Sequence, residues 1–249
     1  MKMLRTPILV FMALLITSSL AFAQDNPCNP CGMKGKTFHL DDPMGRNTVT
    51  FKSEAPLEDI IGSTNKVSGY LSFDPKNPTG GGHGKIIVSA ATFNTGIPLR
   101  NEHLRTEPWL NAEKYPEITL AITKIHHVKE VKSGKGSATY EVSVDADLTF
   151  KGKTKAISFP ARITYLQESE MTKTKMDGDL LAVRGEFEVA LADFGITGPP
   201  GMNLVGSKVG ETITIGISVI GSTVAPAMAK GNPCDPCNPC NPCNPCGGK

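Results

Sequence analysis

The chain has 249 residues, 39% of them hydrophobic and 20% charged, with 26 Lys+Arg against 24 Asp+Glu. So small a basic excess, with a single Trp, excludes the electrostatic footprint of a nucleic-acid binder. The 25 Gly and 19 Pro punctuate the chain as turns do, and the apolar content suffices for one sizeable core.

The first segment reads as an export signal. Lys2 and Arg5 precede an almost uncharged apolar run from Ile8 to Leu20. Ala21-Phe22-Ala23 then places small residues at the two positions a signal peptidase reads. An uncleaved anchor is the alternative, because the run approaches the lower length limit for a span. The polar Gln24-Asp25-Asn26 that follows favours cleavage. Residues 1–23 are therefore expected to be a signal peptide, with the mature chain beginning at Gln24 in the periplasm or outside the cell. Cleavage removes Lys2 and Arg5 and no acid, leaving 24 Lys+Arg against 24 Asp+Glu and no net charge. No later stretch is long and apolar enough to cross a bilayer, so no stable membrane insertion is expected after cleavage.

Residues 24–36 form a short Pro/Cys-rich segment, and residues 37–221 read as the folded domain. Its hydrophobic period is two. Val67, Gly69, Leu71 and Phe73 alternate with Ser68, Tyr70 and Ser72. Val142, Val144, Ala146, Leu148 and Phe150 alternate with Ser143, Asp145, Asp147 and Thr149, and Ile213, Ile215, Ile217 and Val219 repeat the pattern. Thr48–Ser53, Lys85–Ala90, Glu117–Ile125, Ala156–Leu166 and Leu180–Leu191 are further candidates. One apolar and one polar face per segment is what half-buried antiparallel strands require. Only Asn101 to Lys114 reads as helical. About eight strands suit a closed barrel or a sandwich. Long segments such as 138–150 and short sequential connections favour an all-β, up-and-down barrel with a short helix near one mouth.

Residues 222–249 form a tail that is low in complexity from Ala225 and cannot bury a core of its own. Its cysteines, Cys234, Cys237, Cys240, Cys243 and Cys246, repeat as (Asn/Asp)-Pro-Cys, and Cys28 and Cys31 carry the same unit near the start. As extended polyproline II, successive thiols would stand about 9 Å apart on one face, too far for a disulfide, which needs Cα atoms within about 7 Å. As a series of β-turns, each Cys-Asn-Pro-Cys would bring two sulfurs together. Three readings stay open: a soft-metal site for copper(I) or zinc, disulfides in an oxidising compartment, or a tail with no specific partner.

Several pieces, in order, resemble the YceI-like polyisoprenoid-binding family. Arg100-Asn101-Glu102-His103-Leu104-Arg105-Thr106, then Trp109-Leu110-Asn111 and Lys114-Tyr115-Pro116-Glu117-Ile118, are similar to its R-(D/N)-x-H-L-(R/K)-(S/T) segment, aromatic and K-Y-P-x-I. Val67 to Pro75 resembles its G-x-(L/I)-x-F-D strand, and Asp147 to Lys155 its L-T-(I/L)-(K/H)-G-x-T-(K/R) hairpin. Asp193-Phe194-Gly195-Ile196 and Val209-Gly210-Glu211-Thr212-Ile213 resemble its closing pieces. The chain departs from the family pattern at Glu54-Ala55-Pro56, where a His is common, in a longer segment around Met171 to Asp177, and in its cysteine tail. The resemblance implies an exported, eight-stranded, lipocalin-like barrel that holds an isoprenoid lipid or quinone in its lumen; with no catalytic constellation in the sequence, no catalysis and no required cofactor are expected.

A polyprenyl chain offers only apolar surface, worth about 25 cal/mol per Å² when buried, so its site must be a dry aliphatic and aromatic tunnel. Phe73, Phe93, Leu104, Trp109, Leu120, Leu148, Phe150, Phe159 and Phe187 are the candidate lining; the alternative is that they fill a solid core. His103, with Arg100 and Arg105 beside it, could meet a quinone head or a phosphate at the mouth, or serve the fold alone. Two other signals are set aside. Gly80-Gly81-Gly82-His83-Gly84-Lys85 lacks the spacing and the Ser/Thr of a phosphate loop and reads as a hairpin. His126 and His127, as strand neighbours, are expected to face opposite sides and so not to share a metal. No spacing of a catalytic nucleophile with its base is found.

Overall fold

The computed structural model describes residues 35–225; the signal segment and the Asn-Pro-Cys units lie outside them. Ten antiparallel strands form one sheet: β1 (Lys36–His39), β2 (Thr48–Glu54), β3 (Asp59–Thr64), β4 (Val67–Phe73), β5 (Gly82–Ser89), β6 (Glu117–Gly134), β7 (Ser137–Phe150), β8 (Lys153–Leu166), β9 (Leu180–Ala190) and β10 (Thr212–Ser222). They make eight staves rather than ten. β10 pairs with β9 along one edge; its other edge meets β2 over Ile213–Ser218 and β1 at Ser222. β1 and β2 are thus two halves of one broken stave. β3 and β4, paired to β2 and β1, are the two halves of the next. Each stave neighbours its successor and β10 returns to the first, so the sheet closes as an eight-stranded, up-and-down barrel, in which the outer edge of β3 is met by the Ser63–Asn94 bridge and β8 pairs with β9 over Ala161–Leu166.

The break in the first stave is stitched by one side chain. Asn47 is 1% exposed; its amide donates to the Leu40 carbonyl, and its Oδ1 accepts from the Ile220 amide at 2.7 Å. The two backbone groups that the interruption would orphan are thereby satisfied inside the wall.

The eight expected strands are all present, and alternation sets their faces. On β7, Tyr140, Val142, Val144, Ala146, Leu148 and Phe150 are buried, while Ser143, Asp145, Asp147 and Thr149 face outward. β1 and β3 were not expected: one is four residues long, and in the other Ile60 and Ile61 are adjacent, which blurs the period. β6 runs to Gly134, nine residues past its apolar pattern. There the hairpin with β7 is exposed and held by backbone pairing, which leaves no hydrophobic signature. Gly80 to Lys85 is part of the β4–β5 hairpin, with a single 3-10 turn at Pro78–Gly80.

The helix also differs from its expected bounds. Helix α1 spans Pro98–Arg105, and the chain after it forms turns. Pro98 enters at the first helical turn, where its missing N–H costs nothing. Pro108 disfavours helical geometry at Glu107, and the Thr106 amide and hydroxyl both close on the His103 carbonyl. A second helix, α2 (Glu170–Lys173), is one turn capped by Ser169.

Candidate functional site

The barrel is hollow at one end. A cavity of about 460 Å³ lies where the β2–β3 hairpin, the β5–α1–β6 connection, the β7–β8 turn and the long β9–β10 connection converge. Of its 25 lining residues, 20 are apolar, and of the five polar ones only Ser53 is deeply buried. Its hydroxyl oxygen accepts from the Gly210 amide at 2.8 Å, so even this group is spent on the wall. A site so lined recognises apolar shape rather than hydrogen-bonding pattern.

The segment from Arg100 to Tyr115 builds one side of the mouth. Asn101 anchors α1: its Oδ1 accepts from the Thr95 amide and hydroxyl, each at 2.8 Å, and its amide donates to Asn94 at 2.9 Å. Beyond the helix the chain folds back, with the Leu110 amide on the Leu104 carbonyl and the Asn111 amide on the Thr106 carbonyl. Asn111 takes φ 48°, a left-handed conformation that Asn tolerates better than most residues. The reversal lays Trp109 and Leu110 beside Leu104 against the cavity.

Seven of the expected lining residues, Phe93, Arg100, His103, Leu104, Trp109, Leu148 and Phe150, do meet the cavity. The remaining four, Phe73, Leu120, Phe159 and Phe187, do not. They point inward, as alternation requires, but at levels of the barrel where side chains fill the lumen. Phe73 is 1% exposed and packs on Tyr140 at 5.7 Å, and Phe159 packs on Phe187 at 4.8 Å between ring centroids. The lower half of the barrel is thus a solid core and the upper half a container.

Arg100 and His103 stand at the rim. The Arg100 guanidinium donates to Glu58 Oε2 at 3.0 Å, tying α1 to the β2–β3 hairpin. His103 is exposed and Arg105 lies outside the lining. The sequence reading missed the wall contributed by the β9–β10 connection, where Ile196, Met202, Leu204 and Val209 face the cavity. Its Gly/Pro-rich composition reads as a plain connection, and no periodicity marks which residues turn inward.

One expectation about the outer wall is corrected. His127 adopts φ 50° at a register shift between β6 and β7, which cancels the strand alternation. The His126 and His127 rings therefore lie on the same side, 4.4 Å apart between centroids. His126 Nε2 is 3.2 Å from Asp145 Oδ1. The Ser158 hydroxyl, which donates to Asp145, and His126 beside it hold that carboxyl below its usual range. Among the described residues, no three His, Cys, Asp or Glu side chains are placed to hold a metal ion. The five tail cysteines fall outside the described residues.

The YceI-like domain profile matches residues 41–220. A UPF0312 protein of Vibrio parahaemolyticus is 28% identical over 168 residues, spanning 67% of this chain and 81% of its own length. Among solved structures, BcnA of Burkholderia cenocepacia aligns with a TM-score of 0.55 at 19% identity, over 72% of this chain and 99% of its own. A domain from Saccharophagus degradans, described as polyisoprenoid-binding and implicated in plant cell wall breakdown, aligns with a TM-score of 0.54 at 13% identity. It covers 74% of this chain and 97% of its own. At such identities the two structures bear on the fold alone.

Proposed function

The chain belongs to the YceI-like family, and on that premise we propose that it is an exported, non-enzymatic carrier holding a polyisoprenoid lipid or isoprenoid quinone in its lumen. The observation that carries this reading is the cavity of about 460 Å³ at one end of the barrel, with an almost wholly apolar lining. An apolar chain entering it exchanges water for aliphatic and aromatic walls, and the gain scales with the area covered. The rim supplies the polar counterpart. Arg100 and His103 stand where a headgroup would remain near solvent. The Saccharophagus domain's described ligand class supports the same assignment. Export is inferred from the signal-like first 23 residues, with the periplasm or the cell exterior as the working compartment.

The test is native mass spectrometry of the protein purified from the exporting cell, followed by organic extraction and lipid identification. A stoichiometric prenyl lipid or quinone is the expected result; reproducible recovery of an empty barrel that takes up no added prenyl lipid would refute it. The (Asn/Asp)-Pro-Cys repeat favours a second reading, a metal-buffering or thiol-redox role for the tail with copper or zinc as cargo. Deleting residues 225–249 separates the two: lipid uptake persists under the first, and function is lost under the second.

A further inference from the structure

Among the described residues, nine large apolar side chains are exposed, and five of them lie on the elements that form the cavity mouth. Leu57, 87% exposed, tips the β2–β3 hairpin, and Ile61 follows the lining residue Ile60 on β3. Ile97 and Leu99 flank Pro98 at the start of α1, between the lining residues Thr95 and Arg100. Met202 lines the cavity and is still 59% exposed. The bond from Arg100 to Glu58 ties the chain neighbours of Leu99 and Leu57, so both stand on one rim. Charge does not oppose an apolar partner there. The acids of the hairpin are all paired, Glu54 and Asp59 with Lys52 and Glu58 with Arg100. Arg105 on α1 is exposed and can keep its charge in water while its stem lies against apolar surface. The described chain begins and ends at the opposite pole, where Asp179 bonds to Lys36 and Thr223, so neither end of it stands at the mouth. An exposed apolar patch rimmed by polar groups marks a surface that meets a partner.

We propose that this collar is a reversible membrane-docking surface: Leu57, Leu99 and their neighbours enter the interfacial layer of a lipid bilayer and set the cavity mouth against its hydrocarbon. This rests on the carrier reading and assigns that carrier its partner. A prenyl chain released into water exposes its whole apolar length. A mouth seated in the bilayer instead lets the chain pass from hydrocarbon to cavity without crossing water. With the hairpin acids neutralised in ion pairs, attraction to the membrane comes from buried apolar area and not from charge. Arg100 and Arg105 then lie at the level of the headgroups, behind the apolar tips.

The experiment is flotation of the signal-cleaved full chain with phosphatidylcholine vesicles, together with delivery of a short fluorescent prenyl alcohol from the loaded protein to those vesicles. The native protein floats with the vesicles and does so equally in about 1 M NaCl, where exposed charges are screened. Its delivery rate rises in proportion to vesicle concentration, as transfer by contact requires. Leu57→Ser combined with Leu99→Ser, both outside the lining, lowers vesicle partition and delivery rate by about tenfold or more. The affinity of that variant for the alcohol in solution stays within about twofold of native, because the cavity wall is untouched. Met171→Ser, 82% exposed at the opposite pole, changes neither partition nor delivery. A native protein that binds the alcohol but leaves the vesicles alone overturns the proposal and leaves the carrier reading standing. So does flotation lost in salt, delivery independent of vesicle concentration, a double variant that floats as the native protein does, or a dimer of this chain that the double variant dissolves. Failure to bind the alcohol at all overturns both.

Discussion

Asp179, at the end of the barrel remote from the cavity, offers a test of how the closure is held. Its carboxylate, with a side chain only 10% exposed, accepts from the Lys36 ammonium, from the Tyr165 hydroxyl at 2.7 Å and from the Glu168 amide at 2.8 Å. Its backbone exchanges bonds with Thr223, amide to hydroxyl and carbonyl to amide, each at 3.0 Å. One residue thus joins β1, β8, β9 and the end of β10. Asp179→Asn keeps the shape but turns an NH₂ toward donors and removes the charge. Hydrogen bonds to a charged acceptor contribute about 1.5–3 kcal/mol each, whereas Lys36 is 45% exposed and its ion pair adds at most about 1 kcal/mol. Since the amide retains one acceptor, the net loss is about 2–3 kcal/mol, or a Tm lower by about 4–12 °C for a domain of this size. Burial pushes this carboxyl up, but the bonds from Lys36, the Glu168 amide and Tyr165 outweigh it and hold it below the usual range. A depressed folded value means the stabilisation is present above the ordinary carboxylate pKa of about 4 and is lost as pH falls through the folded value. Urea denaturation of both proteins at pH 7 and pH 3 should show the full gap at the first and a reduced gap at the second. A difference below about 0.5 kcal/mol at pH 7, or one independent of pH, would refute the reasoning.

Three further outcomes are expected. Asn47→Ala leaves the Ile220 amide and Leu40 carbonyl unpaired inside the wall and should cost about 2–4 kcal/mol in chemical denaturation, more than a surface Asn→Ala control. Leu148→Glu places a carboxylate in the apolar lining; prenyl-alcohol affinity should drop at least 100-fold in a protein whose circular dichroism is unchanged. Burial pushes the Tyr70 hydroxyl up to about 12, so an ultraviolet titration should show it still protonated at pH 11, and Tyr70→Phe should remove the last step. A folded value above the unfolded value of about 10 makes this tyrosine's contribution fall away as pH rises from about 10 to 12.

The site was legible in part. Phe93, Leu104, Trp109, Leu148 and Phe150 were visible because strand alternation and one motif mark inward or buried residues, and they do face the cavity. Phe159 and Phe187 carry the same signal and yet pack on each other away from the cavity, because alternation reports which face a residue lies on and not the height at which side chains fill the lumen. Met202 and Leu204 carried no signal, since a connection has no period.

What the sequence determined by itself is local or additive. The period of two sets the strands and their faces, the turn residues set the meander, and Pro98 places the start of α1. Tertiary structure alone decided the rest. The single stave formed by β1 and β2 depends on Asn47 reaching Ile220, 173 residues away. The positive φ of His127 arises where β6 and β7 lose register, which neither strand encodes separately. The packing of Phe159 on Gly185 and Phe187 joins residues of two strands only when the barrel closes. Burial direction is a property of a segment, whereas free volume is a property of the packed whole.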